Sequence, residues 1–86
     1  MIEKTLEERG NRYGKFQDTA RISQTLKSYV ATELRNQGKV LTNTQREAME
    51  MILHKIARIV NGDPNYDDSW RDISGYATLV VKDLGG

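Results

Sequence analysis

The chain has 86 residues, enough for one domain and not two. Thirteen Lys and Arg against twelve Asp and Glu leave a net charge of +1, without the basic excess of a general nucleic-acid binder, and the lack of cysteine removes disulfides and thiolate metal sites. With 37% apolar and 29% charged residues it reads as a folded cytoplasmic domain spanning 1–86: MIEKTLEERG has no signal-peptide core, and no run approaches the ~18 apolar residues of a membrane span. A domain this small buries only about 60–65% of its unfolded surface, and oligomerisation is a common remedy.

In chain order, IEKTLEERGNRYGK is expected to add a short helix that breaks near Gly10. Within RGNRYGKF, Arg9, Arg12 and Lys15 surround two glycines and Tyr13. Glycines let backbone amides approach a phosphate, and arginine supplies a forked donor, so these residues are candidates for an anionic ligand. The plainer reading is a lead-in to a helix, with Gly14 marking a turn.

The first main segment runs from about Phe16 to Asn36, with Phe16, Ala20, Ser23, Leu26, Val30 and Leu34 on one stripe and Gly38 as its stop. The second runs from about Thr44 to Asn61. Thr44 and Glu47 have capping-box spacing, the apolar face is Met49, Ile52, Leu53, Ile56, Ile59 and Val60, and Gly62 ends it. On its other side Glu47, Glu50, His54 and Arg58 line up. Glu-x-x-Glu beside a histidine has the donors for a divalent cation, although in a monomer these are ordinary surface neighbours. Lys55 and Arg58 are further phosphate donors.

The third segment runs from about Tyr66 to Leu84, after the turn residues Asp63-Pro64-Asn65. Asp67 and Asp68 suit the first turn of a helix. Trp70, Ile73, Ala77, Val80, Val81 and Leu84 form the expected core stripe. Asp68, Asp72, Tyr76, Leu79 and Asp83 form a second stripe, with Gly75 on the same side at a cost of about 1 kcal/mol in helix propensity. Asp72, Gly75, Tyr76 and Leu79 are therefore the expected subunit interface. The plainer alternative is scattered surface exposure.

No segment alternates with period two. The expected fold is all-α, with three main antiparallel helices (about 16–36, 44–61 and 66–84) and a short N-terminal helix, assembled as an oligomer. With no cysteine, one histidine and no nucleophile elbow, covalent catalysis has no support. Magnesium, which takes carboxylate oxygens, is the one metal this composition suits.

HKIARIVNGDPNYDDSWRDISGYATLV (54–80), with ERGNRYGKF and TNTQREAMEMILHKIARI upstream, resembles a family of small helical proteins encoded by tailed phages and prophages. A weaker resemblance joins Asp72-Ile73-x-x-Tyr76-x-x-Leu79 to the second acidic motif of MazG-like all-α NTP pyrophosphatases. That resemblance implies Mg²⁺ held by Glu47, Glu50, Asp68 and Asp72. Ser69 stands where that second motif carries its glutamate, with Asp68 adjacent.

Three functions follow as expectations. The first is a non-enzymatic phage accessory protein in the host cytoplasm, acting in counter-defence. It would be a homo-oligomer binding a nucleotide-like ligand or a host protein through Arg9, Arg12, Tyr13, Lys15, Lys55, Arg58 and Tyr76, without a cofactor. The second is a reduced, Mg²⁺-dependent NTP pyrophosphatase. The third is a structural or regulatory partner module.

Overall fold

Thr42-Asn-Thr-Gln45 and Thr44-Gln-Arg-Glu47 carry the same capping spacing, and the chain uses the first. The Thr42 hydroxyl accepts from the Gln45 amide at 3.1 Å, and the Gln45 side-chain carbonyl accepts from the Thr42 amide at 3.0 Å. The helix therefore starts two residues earlier than Thr44 would start it. The structure, a computed structural model, describes residues 2–86. Four helices follow in order: α1 (Ile2–Tyr13), α2 (Phe16–Asn36), α3 (Asn43–Asn61) and α4 (Asp67–Asp83). The all-α expectation stands, with one correction at the N-terminus. Gly10 does not break α1; the turn falls at Gly14, whose φ of +77° suits glycine.

Each end has a local cause. Gly38 closes α2 as expected, with φ +66°; its amide bonds to the Arg35 carbonyl and that of Lys39 to the Leu34 carbonyl, a Schellman motif. Between α3 and α4, the Asp63 carboxylate accepts from the Asn65 amide at 2.9 Å. Trp70, expected in the core, instead donates its indole N–H to the Pro64 carbonyl at 2.9 Å and stays 53% exposed. It fastens the turn to α4.

α3 is the central helix. It touches α1, α2 and α4, while α2 and α4 do not touch each other. The pairings Asn61 with Thr19 and Lys55 with Asp72 show α3 antiparallel to both flanking helices. The three long helices therefore lie side by side as a layer, and α1 crosses the layer near the C-terminal end of α3.

Small side chains make the closest approaches. The residues buried below a tenth of their surface are Thr19, Ser23, Ala48, Lys55, Ala57 and Ser69. The large apolar residues of α3 are partly rather than fully buried, because the α2 and α4 contacts fall on opposite sides of it. This splits the single apolar face expected of α3. α4 is rotated as well. Ser69, Asp72, Ile73, Tyr76 and Val80 face inward, at spacings of three and four, while Trp70, Ala77, Val81 and Leu84 face out.

The buried lysine explains the rotation. Lys55 is 8% exposed, and its ammonium sits 3.0 Å from the Asp72 carboxylate. A buried ammonium needs a partner, and that requirement turns Asp72 toward α3. Asp72 and Tyr76 therefore do not form an outward stripe. Gly75 has no atom near enough to touch an added Cβ, so no helix of the protomer approaches it closely. Among the described residues no helix is long and apolar enough to cross a membrane.

The two partners of this ion pair differ in their access to water. Asp72→Ala strands a buried ammonium and is expected to cost about 2–3 kcal/mol in urea unfolding. Lys55→Met keeps the volume and leaves a carboxylate that water reaches, and is expected to cost below about 1 kcal/mol.

Candidate functional site: an arginine–tyrosine corner

The corner is assembled by one side-chain amide. Asn61, the last residue of α3, donates from Nδ2 to the Tyr13 carbonyl at 3.0 Å, the Lys15 carbonyl at 3.1 Å and the Thr19 hydroxyl at 3.0 Å. The Thr19 hydroxyl in turn donates to the Tyr13 carbonyl at 3.1 Å. The Asp63 amide donates to the Arg12 carbonyl at 2.6 Å. These bonds pin the α1–α2 elbow against the end of α3. Two glycines allow the approach: a Cβ on Gly14 would strike Asn61, and a Cβ on Gly62 would strike the Arg12 and Tyr13 backbone. Gly62 was expected only as a helix stop. Its φ of −121° is available to any residue, so proximity is what requires glycine there.

Held in this way, α1 places its C-terminal turn over Arg58 and the start of α4. Thr5, Glu8, Arg9, Arg12, Tyr13, Arg58 and Asp68 line a polar cavity of about 310 Å³, at the small end of the range for ligand pockets. The Arg58 guanidinium lies 4.4 Å from the Tyr13 ring centroid, and that of Arg12 lies 4.7 Å from the Tyr66 centroid. Arg12 also donates to the Tyr66 hydroxyl at 3.1 Å, and the two rings meet edge to face at 6.1 Å. Stacking of this kind holds planar guanidinium groups still. Each guanidinium has five N–H donors, so the stacked arginines keep donors for a ligand.

Burial pushes the Tyr13 phenol above its ordinary value and the Asp68 charge adds to this, while Arg58 opposes it. Tyr13 is therefore a neutral O–H donor near pH 7. Three arginines and two carboxylates give the lining a net charge of +1. Glu8 and Asp68 add acceptors beside those donors.

The structure thus brings together Arg9, Arg12, Tyr13 and Arg58 of the residues expected to bind a ligand. Lys15 lies outside the lining. Lys55 is committed to Asp72, and Tyr76 is half-buried on the α4 face turned to α3. Tyr66, Glu8 and Thr5 were missed. An aromatic residue just before an acidic helix start was the available signal for Tyr66.

The four acids expected to hold a metal are dispersed. Glu47 is exposed, Glu50 pairs with Arg46 at 3.3 Å, Asp68 lines the arginine corner and Asp72 pairs with Lys55. Among the described residues no three His, Asp or Glu side chains form a group suited to a metal ion. His54 is half-buried, and burial followed by the charges of Arg58, Lys27 and Lys55 lowers its affinity for a proton. Surroundings that repel a proton also repel a divalent cation.

A family model described as a domain of unknown function, DUF6378, matches residues 2–83. The chain belongs to this family. The match takes in all four helices, so the arginine corner, the Asn61 contacts and the Lys55–Asp72 pair all lie within the DUF6378 region. No curated protein matches the chain, and no solved structure does.

Two outcomes are expected here. Asn61→Ala removes the donor shared by Tyr13, Lys15 and Thr19. It should cost about 2–3 kcal/mol, read as a fall in Tm of about 8–20 °C for a domain of this size. His54 has its pKa depressed below 6.5 in the fold, so the unfolded chain takes up its proton first as pH falls. Stability is then full above about pH 6.5 and drops as pH falls through the folded pKa. His54→Gln should flatten that part of the pH profile of urea stability.

Proposed function

We propose that the protein binds a nucleotide-like anionic ligand without transforming it, and that the Arg9–Arg12–Tyr13–Arg58 corner is the binding site. One observation carries this reading: Arg9, Arg12, Arg58 and Tyr13 line one cavity, and two of these arginines are stacked on aromatic rings. Guanidinium forks match phosphate oxygens. The phenol adds a neutral donor. Glu8 and Asp68 suit the hydroxyls of a sugar or the amino group of a base. A bare inorganic anion would leave those two acceptors facing its own charge, so a ligand that carries donors as well as phosphate fits better.

The biological setting is proposed from the sequence resemblance: an accessory protein of tailed phages, acting in the host cytoplasm, with nucleotide capture as its counter-defence role. Binding is preferred to MazG-like hydrolysis because a Mg²⁺ clamp requires several carboxylate oxygens on one ion. Within one chain Glu50 and Asp72 are instead engaged by Arg46 and Lys55.

Titration calorimetry with a panel of mono-, di- and cyclic nucleotides tests the reading. At least one member should bind. Arg58→Ala should weaken it by about tenfold or more, the equivalent of one charge-assisted hydrogen bond, and Lys15→Ala should change little. No heat from any nucleotide would remove the proposal.

A further inference from the structure

α1 covers only one side of the helix layer. Arg58 and Asp68 both line the cavity beneath α1. Two residues along a helix is a turn of about 200°, so Val60 and Trp70 point to the opposite side of the layer. Val60 is 67% exposed and Trp70 53%. The same face continues along α3 through Met49 and Ile56, which are partly covered, and along α4 through the exposed Ala77 and Val81, at spacings of seven and four. Beyond it, between α2 and α3, lies a groove of about 450 Å³ with an apolar floor of Val30, Leu34, Met49 and Leu53, whose lining also holds Lys27, Arg35, Lys39, Arg46 and Glu50. The stripe positions on α3 and α4 themselves, Met49, Ile56, Val60, Trp70, Ala77 and Val81, are uncharged.

The size of the protomer points the same way. A folded monomer of 9.8 kDa is expected to expose about 5,200 Å², and this chain exposes 6437 Å². Its radius of gyration is 14.6 Å, against about 12 Å for a compact chain of this length. Helical domains bury their apolar sides by packing layer on layer, and here the second layer is lacking over α3 and α4.

We infer that a second copy of this chain covers the Met49–Ile56–Val60 and Trp70–Ala77–Val81 face, forming a two-fold, layer-on-layer dimer. Burying the excess surface of both copies removes about 2,500 Å² in total, within the range of obligate homodimers. A single partner helix covers a strip about 10 Å wide, too narrow for a face that spans two helices. A flat layer matches itself, and a two-fold axis pairs the same patch on each copy. This interface differs from the Asp72–Gly75–Tyr76–Leu79 stripe expected from sequence, and it lies on the opposite side from the ligand corner.

Trp70, the only tryptophan, reports on the contact. Sedimentation equilibrium of the full chain should give twice 9.8 kDa throughout the micromolar range, with Trp70 emission blue-shifted and shielded from acrylamide. The double variant Val60→Lys/Val81→Lys should halve the sedimenting mass, or lose helicity on dilution as a dimer-dependent fold does. Leu79→Lys, on the other side of α4, should remain dimeric. A wild-type monomer, a dimer whose Trp70 stays freely quenched, or a dimer broken by Leu79→Lys and not by the double variant would each overturn the inference. Nucleotide calorimetry on the double variant separates the two proposals, because the ligand corner lies on the far side of the layer.

Discussion

The Asn61 side-chain amide is the contact on which the rest of the arrangement depends. It is the last residue of α3, and its NH₂ meets acceptors from the end of α1, the elbow and the first turn of α2. Without it, α1 has only modest packing to hold it, because no residue of α1 is buried. α1 is then positioned mainly by polar bonds at its C-terminal end and by the arginine–tyrosine stacks. Neutral hydrogen bonds contribute about 1 kcal/mol each net of water, so several converging on one side chain outweigh the small apolar contact. The geometry of the arginine–tyrosine corner follows directly, since Arg9, Arg12 and Tyr13 travel with α1 while Arg58 and Asp68 stay with the helix layer.

The second constraint is the buried lysine. An ammonium between α3 and α4 excludes every rotation of α4 that leaves Asp72 in solvent. Its consequence is an unusual division of labour on α4. The face turned to α3 carries Ser69, Asp72 and Tyr76, and the more apolar stripe of Trp70, Ala77 and Val81 is left outward. Close packing by Ala48, Ala57, Ser23 and Ser69 brings the helices together without burying large side chains. The layer is thereby well specified in register while much of its hydrophobic surface is held in reserve.

Helix content and order were legible in the sequence because they depend on local signals. The 16–36 helix, the glycine that closes it and the acids that open α4 emerge where periodicity and capping chemistry put them. The facing of α3 and α4 was not legible. Periodicity identifies the most apolar stripe of a helix and assigns it to the core, and that assumption fails when a buried charge dictates rotation. The start of α3 was missed because two overlapping capping boxes compete within six residues. At the site, the cluster around Arg9, Arg12 and Tyr13 was visible as a local motif. Its link to Arg58, far away in sequence, depends on the Asn61 contact, and no spacing rule anticipates a side chain bonding to an elbow this distant. The acidic stripes looked like a shared metal site only because each helix was considered alone.

The central position of α3 also limits how chains of this kind can vary in length. A residue inserted in the middle of α3 would turn everything after it by about 100°. Ala48 and Lys55, or Asn61 and its three acceptors, would then lose their partners, since α2 and α4 grip opposite sides of the same helix. Compensation by sliding is not available with antiparallel neighbours on both flanks. The segment between Gln37 and Leu41 has no such tie: Val40 is almost wholly exposed, and Gly38 and Lys39 before it are exposed as well. Insertions and deletions are accordingly admissible there and past the end of α4, and excluded from the nineteen residues of α3. The helix that joins the others acts as the ruler of the fold.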